Sequence, residues 1–148
     1  MVSRQTFVGL SVIAMLTGGA ATALAAPDGA PEKLCTITYP TPDDFSVQAS
    51  SEVFVRQLGN GAIELTAHTD AKSNTPYDQK FHVTWSNLDT GRNGQSEVSA
   101  QVRGSDNVLT IPSLETEPGR IPLVLAIANH GSGQNYTNGD CTVETKAS

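Results

Sequence analysis

Few residues in this sequence have a type and spacing that could do chemistry, and two histidines come first. His68 and His82 lie in the alternating segments Thr66-Ala67-His68-Thr69-Asp70 and Lys80-Phe81-His82-Val83-Thr84-Trp85. If the chain from Asp70 to Lys80 is a symmetric loop centred on Thr75, antiparallel partners have numbers summing to 150. His68 then faces His82, Thr66 faces Thr84, and Asp70 follows two residues beyond His68 on the same side. Cross-strand neighbours lie about 5 Å apart at Cβ. Two imidazoles so placed beside a carboxylate could hold zinc or copper, or switch with pH. The plain alternative is a pair of exposed histidines tolerated on a polar face.

Other candidates are thinner. His130-Gly131-Ser132-Gly133 is the nearest approach to a nucleophile elbow, which needs G-x-S-x-G at a strand-to-helix turn, and no helix pattern follows it. The chain has no phosphate-binding loop, dinucleotide fingerprint or H-E-x-x-H. Asn135, Asn138 and Asp140 offer oxygens that calcium could use, without the carboxylate run of an EF-hand, so a solvated turn is preferred. Asn135-Tyr136-Thr137 matches the glycosylation sequon, a short pattern that arises often by chance.

Arg120 stands in Glu115-Thr116-Glu117-Pro118-Gly119-Arg120-Ile121-Pro122, a stiff, singly basic stretch of the kind protease inhibitors present to trypsin-like enzymes. Such loops are usually braced by a nearby disulfide, and neither cysteine is close. Tyr77 and Tyr136 fall in loop segments where they are free to touch a partner, whereas an aromatic platform for carbohydrate is not evident.

The elements that must carry these residues are strands. An export signal comes first: Arg4, an apolar run from Phe7 to about Leu16, and small residues ending Ala23-Leu24-Ala25 give the three-part pattern. The apolar part is shorter than the roughly 20 residues that span a bilayer, so residues 1–25 read as a cleaved signal peptide and no stable membrane insertion is expected afterwards. Ser3-Arg4-Gln5-Thr6-Phe7 is similar to a twin-arginine signal with Gln5 in place of the second arginine, which leaves ordinary Sec export as the default.

Cleavage removes one cation and leaves eight Lys and Arg against fifteen Asp and Glu. An acidic chain is repelled by nucleic acid and anionic lipid, so neither is an expected partner.

Residues 26–33 read as a Pro/Gly linker and 34–148 as one all-β domain. Period-2 alternation recurs in about seven or eight short segments separated by Gly, Asn and Pro clusters. This fits an immunoglobulin-like two-sheet antiparallel sandwich. The 150 register pairs Ala67 with Val83, Leu65 with Trp85 and Thr69 with Phe81. A second hairpin centred between Gly91 and Arg92 gives sums of 183, pairing Trp85 with Val98, Val83 with Ala100 and Phe81 with Val102. Both place the same face of the central strand inside. Val53 and Val55 turn inward on the second strand, which sends Phe54 outward.

Cys35 and Cys141, in the first and last strands of an exported chain, most simply form a disulfide that staples the two. The order Cys35, Trp85, Cys141 resembles that of immunoglobulin domains in order alone. There the tryptophan follows the first cysteine closely, whereas here it lies 50 positions on, and no tyrosine stands two residues before Cys141. The term immunoglobulin-like therefore describes an architecture and not a family.

The expectation is a secreted, non-enzymatic binding module without cofactor, presenting loops to a protein or cell-envelope partner. A protease inhibitor acting through Arg120 and a metal-binding protein acting through His68, His82 and Asp70 are the alternatives.

Overall fold

The computed structural model describes residues 29–148, so the expected signal peptide and the first three residues of the expected linker lie outside the described residues. Eight strands follow in order: β1 Glu32–Pro40, β2 Gln48–Gly59, β3 Ala62–Asp70, β4 Tyr77–Ser86, β5 Asn93–Val102, β6 Asn107–Glu115, β7 Gly119–His130 and β8 Tyr136–Ala147. The first strand takes in Glu32 and Lys33, which the sequence assigned to the linker. No helix among the described residues is long and apolar enough to cross a membrane.

Two antiparallel sheets form, ordered β1-β2-β3-β6 and β5-β4-β7-β8. The chain crosses between them after β3, β5 and β6. The pairs β3·β6, at the edge of one sheet, and β4·β7, at the centre of the other, with Trp85 on β4, give the sandwich its immunoglobulin-like plan. The inner faces interdigitate as the alternation requires: Ile37, Val53, Val55, Ile63, Leu65, Ala67, Leu109 and Ile111 meet Phe81, Val83, Trp85, Leu123, Leu125 and Ile127. β3, β4 and β7 bury every second side chain and leave the next half-buried or exposed.

The disulfide joins Cys35 to Cys141, as expected. It links β1 to β8, the outer strands on one flank of the two sheets, rather than the two central strands that an immunoglobulin domain would join. Close approach on this flank requires glycine at 139, because a Cβ there would stand 2.6 Å from the Thr38 carbonyl oxygen.

Both inferred registers are corrected. β3 and β4 do not pair, because residues 71–76 carry the chain from one sheet to the other. The crossing is held by Ala71 N–H on Gly104 O, Gly104 N–H on Ser73 O, and the Tyr77 hydroxyl on Ala71 O. The inward residues were right because strands facing each other across a core bury the same alternate positions as strands lying side by side. The second hairpin exists, but Phe81 pairs with Val98 and Trp85 with Gly94, sums of 179 rather than 183. Asn87 closes the loop with its N–H on Arg92 O, which lowers the sum by four and moves the turn centre two residues earlier. An even shift leaves every side chain on its own face.

Candidate functional site

Up-and-down strands give the sandwich two ends. Residues 41–47, 71–76, 103–106 and 131–135 form one, hereafter the loop end. Residues 60–61, 87–92 and 116–118 form the other, where β1 begins and β8 finishes.

Beneath the loop end the core is polar. Gln79 on β4 donates from Nε2 to the Tyr39 hydroxyl (2.9 Å) and to Asn129 Oδ1 (2.8 Å), and its Oε1 accepts from Thr69 Oγ1 (2.6 Å). Since the Tyr39 oxygen receives the amide hydrogen, its own proton goes to Ser51 Oγ (2.7 Å), and Ser51 in turn donates to Thr69 (2.6 Å). The ring closes with every hydroxyl donating once. Asn129 extends it to Thr137 at 3.2 Å. All six residues are buried, three from each sheet, so the network fixes the sheets against one another where the loops emerge. Burial pushes the Tyr39 hydroxyl above its ordinary pKa, and does the same more strongly for Tyr77.

Above this floor two rings stand out of the surface. Tyr136, at the head of β8, is 65% exposed and stacks on its cross-strand partner His130, centroids 4.3 Å apart and planes within 3°. They border a cavity of about 280 Å³ on the outer face of the β5-β4-β7-β8 sheet, with Asp78 and Lys80 as further walls; Ala128 lies among them. Phe45, 58% exposed, rises from the loop between β1 and β2. That loop touches the β7–β8 loop: Ser132 Oγ reaches Asp43 Oδ1 at 3.5 Å, and a Cβ at Gly131 would stand 2.7 Å from the same oxygen. Asp44, which accepts from the Ser46 hydroxyl and N–H, has its carboxyl held below the usual range and shapes the turn that offers Phe45.

The opposite end is tied down. Asn87 donates from Nδ2 to the carbonyls of Thr116, Glu117 and Pro118 at 2.9 to 3.2 Å, and its Oδ1 accepts from the N–H groups of Asp89 and Thr90. Asp89 accepts the Arg120 N–H (2.9 Å) and pairs with its guanidinium, and Arg92 pairs with Glu117. The Arg120 N–H is the main cause that holds the Asp89 carboxyl below its usual range. A wider hollow here, about 650 Å³, is walled by Glu32, Gln57, Arg120, Glu144 and Lys146, with charges of both signs and no aromatic ring.

The candidates separate accordingly. His68 sits on the outer face of one sheet, paired with Glu52 and Val108 and edge-on to Phe54 at 5.1 Å. His82 sits on the outer face of the other, 3.4 Å from Glu97 and 3.2 Å from Thr84. They do not face one another, because β3 and β4 belong to different sheets. Asp70 is engaged by Lys72 Nζ at 2.9 Å, a contact that lowers its pKa. Among the described residues no three His, Cys, Asp or Glu side chains cluster to hold a metal.

Arg120 is a strand residue, opposite Lys146 on β8, with its carbonyl accepting from Leu88 N–H. A main chain so engaged is not a protruding loop that could enter a protease cleft. Tyr77 is corrected from a loop residue to a buried one, 2% exposed, its hydroxyl on Ala71 O. His130 and Ser132 do not engage each other: the His130 ring nitrogen meets Gly133 O and the serine meets Asp43. Of the two tyrosines, Tyr136 is the one that stands where a partner could reach it. Sequence reasoning missed Phe45, which stands in the polar turn Pro42-Asp43-Asp44-Phe45 between two strands.

No known protein family matches this chain, no curated protein matches it, and no solved structure matches it.

Proposed function

We propose that this protein is a secreted, non-enzymatic interaction module that engages a protein or cell-envelope partner through its loop end. The observation that carries the reading is the exposed Tyr136 on His130, with Phe45 on the adjoining loop, above a hydrogen-bonded floor. Exposed rings on a rigid base supply contact area at low cost in conformational entropy, which is what anchors at recognition surfaces require. The disulfide agrees with an oxidising, extracytoplasmic setting.

Capture of a partner from culture fluid or envelope extract by the folded, oxidised chain tests it. Tyr136→Ala and Phe45→Ala should each weaken capture at least about tenfold, the loss typical of an interface anchor. Leu88→Ala and Arg120→Ala, at the tied end, should leave it unchanged. Capture that survives both loop-end variants and fails with Arg120→Ala would overturn the reading and favour the tied end.

A further inference from the structure

The four outer strands are not equally protected. β1 carries a bulge between Lys33 and Cys35 and ends at Pro40. β6 is irregular where it passes Ile63 and Leu65, and contains Pro112. β8 is flanked by β1, to which it is bonded through Cys141. β5 lies beside β6 with no disulfide between them, and is otherwise unguarded: its ten residues, NGQSEVSAQV, pair with β4 without a register shift and contain no proline, lysine or arginine. Bulges, prolines and lysines are how natural sheets stop an outer strand from recruiting another.

The direction of the free backbone groups follows from the hairpin. Asn87 N–H bonds Arg92 O, so 87 and 92 form a hydrogen-bonded pair, and such pairs alternate along an antiparallel ladder. The even-numbered residues of β5 therefore bond to β4. Asn93, Gln95, Glu97, Ser99 and Gln101 aim their N–H and C=O groups outward. The inward side chains are also incompletely covered: Val98 is half-buried and Ala100 exposed, although both belong to the core face.

We infer that β5 pairs antiparallel with β5 of a second copy of this chain, fusing two four-stranded sheets into one of eight. The sequence selects the register. Partners in a two-fold pairing must share a face, so their numbers sum to an even value. Sums of 194 and 196 each overlap nine residues of the strand, 93–101 and 94–102. The first sets Glu97 directly against its own copy, a like-charge contact that disfavours pairing. The second sets Glu97 against Ser99, Gln95 against Gln101 and Asn93 against Arg103, and brings Val98 onto Val98 and Ser96 onto Ala100 on the core side. The occupant with sum 196 thus covers the apolar positions that one copy leaves open. Because the strands run in opposite directions, the two loop ends point away from each other. On the reading of the loop end given above, the dimer bridges two partners rather than gripping one surface twice.

Sedimentation equilibrium of the purified, oxidised chain tests this, with concentrations reaching roughly 1 mM so that even a weak dimer registers. A monomer–dimer equilibrium is expected. Gln95→Pro removes an outward N–H that β4 does not use, and should abolish the dimer while near-ultraviolet circular dichroism stays native. Ser99→Lys, placed opposite Glu97 twice over, should tighten the dimer by about 2- to 10-fold, and Ser99→Glu should loosen it similarly. Monomers at every concentration would overturn the inference. So would a dimer that persists in folded Gln95→Pro, or one indifferent to the sign of charge at position 99. Failure here would leave capture through Tyr136 and Phe45 untouched, since that is measured on a different face.

Discussion

The two ends of this sandwich solve the same problem, how to finish eight strands, in opposite ways. At the tied end one carboxamide, Asn87, holds two loops by their backbones, and Asp89 and Glu117 draw in Arg120 and Arg92. At the loop end the fixing groups are buried one layer below, in the ring through Gln79, and the loops above carry exposed rings. Rigidity placed inside the core leaves the surface free to be chemical, whereas rigidity placed in the loops uses up the side chains that a partner would need.

Removing the buried floor should have the largest effect. Gln79→Ala strips partners from Tyr39, Thr69 and Asn129 at once, and each buried polar group left unpaired costs about 1–3 kcal/mol. A loss of about 3 kcal/mol in urea unfolding is expected, with Gln79→Glu less damaging in acid, where its protonated carboxyl can still donate. If Gln79→Ala cost as little as a surface change, the floor would not be what holds the loop end.

Asn87→Ala should cost about 2 kcal/mol, because it frees the carbonyls of residues 116–118 and the N–H groups of Asp89 and Thr90 together. Hydrogen exchange should quicken in residues 87–92 and 116–120 and stay unchanged in 131–135. Equal loosening of both ends would erase the distinction between them.

Acid should act next, and at exposed contacts. The Asp89 carboxyl is held below its unfolded value, so its contribution is complete above about pH 4 and is lost as pH falls through the folded value. Amides of the 87–92 loop should therefore exchange faster in acid, and Asp89→Asn should remove that dependence. Tyr39 and Tyr77 work at the other extreme. Their raised pKa values stabilise the fold below the ordinary tyrosine value near 10, and that contribution is lost as pH rises through the folded values. The smallest effect on stability belongs to Tyr136→Ala, within about 0.5 kcal/mol as for an exposed site, although it should have the largest effect on partner capture.

Much of the fold was legible in alternation. Phe81, Val83 and Trp85 had to share an inner face, Phe54 had to turn out, and Cys35 and Cys141 had to lie in the first and last strands. Which strands pair was not legible, because alternation reports the face of a side chain and says nothing about whether its neighbour lies beside it or across the core. The proposed pairing of His68 with His82 rested on that missing information, and it went when β3 and β4 parted between sheets. Tyr77 failed for a related reason: a tyrosine at a strand's first residue follows the strand's parity and not the loop's exposure. The Gln79 ring was invisible because its members, Tyr39, Ser51, Thr69, Gln79, Asn129 and Thr137, are scattered over six strands and look like ordinary polar residues until both sheets are in place.

Site-specific photo-crosslinking distinguishes the loop end from the tied end as the recognition surface, with a photoreactive side chain placed at position 136 in one preparation and at position 88 in another, each mixed with envelope extract. Tyr136 and Leu88 are both well exposed, at 65% and 52%, and lie at opposite ends, so exposure alone cannot favour either. A discrete, saturable adduct at 136 and none at 88 is the predicted result. The same adduct at 88 and none at 136 would contradict it.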